Sequence, residues 1–213
     1  EVPVLSDEKA GGIVVRRVVG DISDQDTVQG LLDLDDLSVF HLAAVPSTLA
    51  AEMDFDLAMR VNLDGSRHLF EGLRARECQQ RLVFLSSIAV YGGAGMPRCV
   101  GDFVKQTPQS TYGSTKAILE LLINDYNRKG FLDGRSARLP SVIIRPEKMK
   151  FQSSGFINGD FREPLNGEDF ELPVPLDTVT QVLGYRAIVK NLIRLHEIDV
   201  GRLSDDRAVG FPC

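Results

Sequence analysis

Short apolar runs alternate along the chain with longer stretches in which apolar residues recur every three or four positions. Residues 2–5 and 13–19 are runs of the first kind, the second rich in β-branched side chains and closed by Gly20 and Asp21. Runs of this length, bounded by turn residues, predict buried strands of a parallel sheet. Ser23 or Asp24 is placed to cap a short helix with Val28, Leu31 and Leu32 on one face. Residues 37–42 predict a third strand, 82–85 a fourth and 137–144 a fifth. Between them, Leu63, Leu69, Phe70 and Leu73 predict a helix over 62–76. Ile118, Leu121, Leu122 and Tyr126 predict another over 114–129, with Gly130 as its stop.

Strands alternating with helices predict an α/β sheet joined by right-handed crossovers. After Pro146 the pattern changes. Gly, Pro, Asn and Asp punctuate residues 153–177, and helical spacing returns only over 189–195. A boundary is therefore expected near residue 147, dividing the main domain, 1–147, from a smaller loop-rich lobe, 148–213, that partly returns to it.

The composition narrows the class without changing this picture. Of 213 residues, 43% are hydrophobic and 25% charged, as in ordinary globular domains, which excludes disordered, collagen-like and disulfide-scaffold chains. The net charge of −6 gives no global attraction for nucleic acid, so no nucleic-acid partner is expected. No apolar run approaches a membrane span, and no signal-peptide pattern stands at the N-terminus. Cys78, Cys99 and Cys213 have no metal-motif spacing, and an odd, scattered count fits a reducing compartment. The expectation is a soluble cytoplasmic protein without a metal site.

Three polar residues stand out by position. Ser87 closes a strand, Tyr112 opens a helix, and Lys116 follows one turn later, so phenol and ammonium share a helix face. A free phenol titrates near ~10 and is a poor base at neutral pH. A cation ~4 Å away contributes roughly 4 kcal/mol at an effective dielectric of ~20, enough to move it by about three pH units. The bare Tyr-x-x-x-Lys spacing is common in helices where Tyr packs and Lys is solvated. The Ser87 strand end before it, and the strand closing at Arg145-Pro146 after it, favour the chemical reading.

Several stretches occur in family order: Gly20-Asp21-Ile22, His41-Leu42-Ala43-Ala44, Asn62-Leu63-Asp64-Gly65, Phe84-Leu85-Ser86-Ser87-Ile88-Ala89-Val90-Tyr91-Gly92 and Tyr112-Gly113-Ser114-Thr115-Lys116. Through them the chain resembles the extended short-chain dehydrogenase/reductase family, which includes sugar-nucleotide epimerases and dehydratases. A narrower resemblance, through residues 110–122, Asp125-Tyr126, Lys129-Gly130-Phe131, Arg138-Leu139-Pro140 and Arg162-Glu163-Pro164-Leu165, is to its D-erythronate dehydrogenase branch. It implies a Rossmann-like, doubly wound parallel sheet with a small substrate lobe, and hydride transfer from a sugar acid to NAD, with NADP left open. Ser87, Tyr112 and Lys116 would be catalytic, with Ser87 also orienting the substrate oxygen. Asp21, Ile22, Ala43, Ala44, Asn62 and Pro140, with Tyr112 and Lys116, would line the cofactor. Asp7 is either a ribose-binding acid or a solvated loop acid. Arg145 and Arg162 either meet an anionic substrate or pair with Glu147 and Glu163.

The pattern also departs from the family. Gly11-Gly12 lacks the third glycine of a dinucleotide fingerprint and precedes a strand, so the first strand and helix of the fold are expected to be missing. The chain is then either a fragment or a degenerate homologue. Glu147-Lys148-Met149-Lys150 replaces a Gly-Lys-Pro-Asn-like loop, which leaves the substrate open. An epimerase and a non-catalytic binding homologue are the alternatives. Leu119, Leu122, Ile123 and Tyr126 on one helix, and Leu63, Phe70 and Leu73 on the other, suggest apolar area in excess of what one sheet covers. A homodimer through the helices opening near Asn62 and Tyr112 is expected. Arg74, Arg76 and Arg81 are expected to be a solvated basic patch.

Overall fold

The computed structural model describes residues 4–10, 13–46, 48–76, 78–143 and 155–212. Strands β1 (Val4–Ala10) and β2 (Ile13–Val18) pair with each other in antiparallel register, Lys9 opposite Val14 and Ala10 opposite Ile13. They form a sheet of their own, not the expected parallel members of the main one. Only two residues separate them, whereas a parallel pairing needs a crossover of about a dozen or more. Helix α1 (Gln25–Leu31) starts at Asp24, whose carboxylate accepts from the Thr27 hydroxyl at 2.6 Å. Val28 and Leu32 are buried, but Leu31 faces outward.

Strand β3 (Ser38–His41) is followed by two short helices, α2 (Thr48–Met53) and α3 (Phe55–Ala58). The helix expected over 62–76 is longer and divided. A π-helical stretch, Met59–Asp64, leads into α4 (Gly65–Arg74). Strand β4 (Gln80–Ser87) then leads to α5 (Thr111–Arg128), which ends at Gly130 with φ +73°, a conformation that favours glycine. Strand β5 (Leu132–Leu139) completes the regular alternation.

Beyond it, β6 (Ser141–Ile143) leaves the main sheet and pairs in parallel with β7 (Val182–Gly184). Helix α6 (Gly155–Leu165) lies between them in sequence, and no period predicted it. Its Gly155, Gly159 and Pro164 are poor helix formers, so tertiary contacts hold it. Asn158 donates to the Val142 carbonyl of β6 at 3.0 Å, and Gly159 lies so close to the Phe170 ring that a Cβ there would clash. Helix α7 (Tyr185–Glu197) and strand β8 (Ala208–Gly210) return to the main sheet. The boundary expected near residue 147 falls within residues 144–154, outside those described.

The main sheet has the order β3-β4-β5-β8, all neighbours parallel. Alternate residues of β4 point to opposite faces. Leu82 and Phe84 join Val28, Phe70, Leu73, Leu119 and Ile123 in one core, while Val83 packs with Ala137, Ile188, Leu192 and Leu195 in the other. Helices thus cover both faces, as the α/β expectation requires. Phe70, Leu73, Leu119 and Ile123, expected to be surplus, lie inside the first core. The expected solvated patch is also engaged. Arg76 donates to the carbonyls of Leu32, Leu34 and Asp35, and Arg74 pairs with Glu71. Arg81 and the buried Arg135 share Asp133 and donate to carbonyls at the C-terminal end of α7, where the helix dipole favours cations.

Candidate active site

The parallel strands deliver three sequence-predicted regions to one edge. His41 ends β3, Ser87 ends β4 and Leu139 ends β5, and Pro140 is buried just beyond. Polar groups of an α/β sheet converge at this carboxyl edge. Ser87 also caps the short turn Ile88–Val90, its hydroxyl accepting from the Ala89 amide at 3.1 Å.

Tyr112 is brought to Ser87 by the way α5 begins. Ser110 caps the helix, accepting from the Gly113 amide at 3.0 Å. Gly113 sits so near the turn after Ser87 that an added Cβ would stand 2.1 Å from the Ala89 carbonyl oxygen. That close approach needs glycine, and the sequence reading assigned Gly113 no part of its own. The phenol of Tyr112 is pushed above its ordinary range by burial, with a hydrogen bond from Ser87 acting in the opposite direction.

Lys116 is buried, 3% exposed, and donates to the Leu85 carbonyl at 2.6 Å. Its ammonium lies 4.5 Å from the Phe84 ring centre and 5.5 Å from that of Tyr112. Burial lowers it to about 8, and the charge of Glu120 opposes that fall. The net shift of the phenol is upward, not downward as expected, because burial is its largest cause. The ammonium is engaged with the strand backbone, and burial disfavours its charged form.

Behind this pair lies a second buried layer. The His41 ring nitrogen Nε2 stands 2.8 Å from the Ser66 hydroxyl, which donates to the Asn62 carbonyl at 2.5 Å. Since Ser66 has one proton, His41 Nε2–H donates to it. Burial, then the nearby Lys116 charge, hold His41 down to about 3, so the ring is neutral. Asn62 is 1% exposed and its side-chain oxygen accepts from the Val45 amide at 2.6 Å. Asn62 thus fixes the loop just after Ala43 and Ala44, from within the π-helical stretch, a geometry frequent at functional sites.

The remaining expected residues are placed less closely. Asp21 accepts from the Ser23 amide at 2.8 Å and pairs with Arg60 at 3.2 Å on the surface. Ile22 packs against Gly65 at the start of α4. Arg162 donates to Glu163 at 2.9 Å. Asp7 lies in β1, away from the main sheet's hydrogen bonding. Arg145 and Cys213 lie outside the described residues. No group of three or more His, Cys, Asp or Glu among the described residues is arranged to hold a metal ion.

Residues 3–180 match the NAD dependent epimerase/dehydratase family. A D-erythronate dehydrogenase from Cupriavidus necator is 48% identical over 198 residues, spanning 93% of this chain and 60% of that protein. A D-erythronate dehydrogenase from Haemophilus influenzae is 43% identical over 175 residues, 82% of this chain and 55% of that one. Among solved structures, a nucleoside-diphosphate-sugar epimerase from Agrobacterium tumefaciens superposes with a TM-score of 0.88 at 38% identity, covering 98% of this chain and 62% of its own. The chain therefore spans a little over half the length of the curated relatives it matches. With the family matched from β1 through the helices and strands that gather Ser87, Tyr112 and Lys116, this chain belongs to the NAD dependent epimerase/dehydratase family.

Proposed function

We propose that the protein is an NAD-dependent dehydrogenase of a sugar acid resembling D-erythronate, with Tyr112 as general base. The observation that carries this reading is the convergence of Ser87, Tyr112 and Lys116 at the carboxyl edge of the sheet, joined to 48% identity with a D-erythronate dehydrogenase. Two half-buried hydroxyls beside a buried ammonium fit the donor needs of a nicotinamide riboside. Asp21, Ile22, Ala43, Ala44 and Pro140 remain candidates for the rest of the cofactor. NAD is favoured by analogy with the named relatives, and NADP is the alternative. When bound, the oxidised nicotinamide supplies the hydride acceptor. Ser87 orients the substrate hydroxyl, Tyr112 takes its proton, and Lys116 stabilises the resulting phenolate by its charge. Arg162, which pairs with Glu163, is the candidate for a substrate carboxylate.

The 38% identity to a nucleoside-diphosphate-sugar epimerase supports a second reading, in which hydride returns to the same substrate. The two differ in net redox chemistry. Incubation of the intact protein and NAD with D-erythronate, other four-carbon polyhydroxy acids and nucleotide sugars separates them. NADH accumulating with a sugar acid supports the dehydrogenase. Interconversion of a nucleotide sugar without NADH supports the epimerase and overturns the first reading.

A second copy of the chain is the partner we assign to an apolar patch beside this site. Leu49 and Met53 on α2, Phe55 on α3, and Ile118 and Leu121 on α5 are all exposed. Helices α2 and α5 touch, and Glu52 accepts from the Thr111 amide at 2.7 Å. This assigns the homodimer to α2 with α5 in place of the helices opening near Asn62 and Tyr112. The free, exposed Cys78 and Cys99 fit a cytoplasmic location. No helix among the described residues is long and apolar enough to cross a membrane.

A further inference from the structure

Helix α5 places Tyr112, Lys116 and Glu120 at successive four-residue intervals on one face, and the stripe runs inward. Tyr112 is half-buried, Lys116 is 3% exposed and Glu120 1%. A carboxylate so deep is costly unless its lone pairs are filled. Glu120 is filled from two sides. Arg138 of β5, itself 5% exposed, donates to it through Nε at 3.0 Å and Nη2 at 2.7 Å, and Gln106 donates from the loop before α5. Arg138 in turn donates to the Tyr91 hydroxyl at 2.6 Å and stands 3.8 Å from Asp206. The carboxylate therefore cannot swing away.

We infer that Glu120 is a positioning residue for the acid–base pair, its clamped carboxylate supplying the fixed negative charge that holds the buried Lys116 ammonium in its charged form. This inference rests on reading Tyr112 and Lys116 as that pair. The surroundings of Lys116 support it. From β4 the ammonium meets the Leu85 carbonyl and the Phe84 ring, and from its own helix the Tyr112 phenol. From β3 it meets His41, which is neutral. Glu120 is the one anion acting on Lys116 among the described residues, and its influence opposes the desolvation. Arg138 bears a positive charge that the carboxylate also balances. A lysine that lost its proton near neutral pH could not stabilise a phenolate one turn away, so Glu120 acts on Tyr112 through Lys116.

The test follows the Lys116 side chain directly, by NMR titration of its labelled Cε in the intact protein, with no substrate present. Glu120→Gln keeps the shape and removes the charge, and Lys116 is expected to titrate about one pH unit lower. Glu120→Asp, which keeps a charge opposite Arg138, should restore most of that difference. A purely structural role would lower thermal stability in both variants and leave the Lys116 midpoint alone. An unchanged midpoint in Glu120→Gln overturns the inference. If that variant does not fold, Glu120→Met, which also removes the charge, takes its place, with a lowered Lys116 midpoint supporting the inference and an unchanged one overturning it. In turnover assays, the acid limb of kcat should move to higher pH in Glu120→Gln and return in Glu120→Asp. Because the titration needs no turnover, it stands apart from the dehydrogenase reading, which fails separately if Tyr112 proves dispensable.

Discussion

Lys116→Met removes the ammonium that the proposed chemistry needs, yet it should make the fold more stable near neutral pH. Lowering Lys116 from 10.5 to about 8 in the folded chain means that its charged form is disfavoured there. At about 1.36 kcal/mol per pH unit, this costs the protein about 3 kcal/mol wherever both states carry the proton, that is, below pH 8. Methionine fills a similar volume without the charge, but it forfeits the hydrogen bond to the Leu85 carbonyl and leaves that oxygen less satisfied, a loss of about 1–2 kcal/mol. The net gain expected at neutral pH is about 1–2 kcal/mol, or a Tm higher by roughly 2–8 °C for a chain of this size. The sign reverses with pH in a defined way. Between pH 8 and 10.5 the unfolded chain binds the proton that the folded chain has released, so wild-type stability rises with pH and the advantage of the variant shrinks. Urea titrations of both proteins across that range give the comparison. A Lys116→Met protein less stable than wild type at pH 7, with a gap that does not change towards pH 10, would refute the reasoning.

Other outcomes follow from the same geometry. Gly113→Ala must push α5 from the Ala89 carbonyl, so it should cost about 1–3 kcal/mol in urea denaturation and lower kcat more than the stability loss explains. His41, held down to about 3 by burial, is a neutral ring in the fold that becomes protonated only on unfolding at mild acid pH. Its contribution is complete above about 6.5 and is lost as pH falls from there towards 3, about 2 kcal/mol by pH 5. His41→Gln should flatten that part of the stability profile, and an unaltered profile counts against the assignment. Leu121→Asp, on the exposed α2–α5 patch, should convert a dimer to monomers in light scattering while the far-UV spectrum stays the same. A wild-type monomer at micromolar concentration removes that proposal.

Much of the main sheet was legible because its strands and helices carry strong periods. The apolar run of β4 and the amphipathic spacing of α5 need only local rules, and Asp24 and Gly130 act where cap chemistry puts them, whereas the Ser110 cap was not read. The direction of β1 and β2 was misread because apolar runs do not report strand direction, although the two-residue connection does. Helix α6 was illegible because its Gly159 and Asn158 are chosen for contacts with Phe170 and Val142, not for helix propensity. At the site, spacing put Tyr112 and Lys116 on one helix face and Ser87 at a strand end. It could not give the depth of the ammonium, which burial decides, nor the Glu120–Arg138 clamp, which joins residues 18 positions apart in sequence. A glutamate one turn beyond Lys116, on the same face, was the signal available for it.

The central claim, that Tyr112 is the proton acceptor of an NAD-linked sugar-acid oxidation, is tested most directly by comparing wild type with Tyr112→Phe in the intact protein, following NADH formed from saturating D-erythronate. The phenylalanine ring keeps the packing at the start of α5 and removes only the hydroxyl. The account predicts NADH formation by the wild type, a fall in kcat of roughly 10²-fold or more in the variant, and a much smaller change in KM. Turnover by Tyr112→Phe equal to that of the wild type would contradict it.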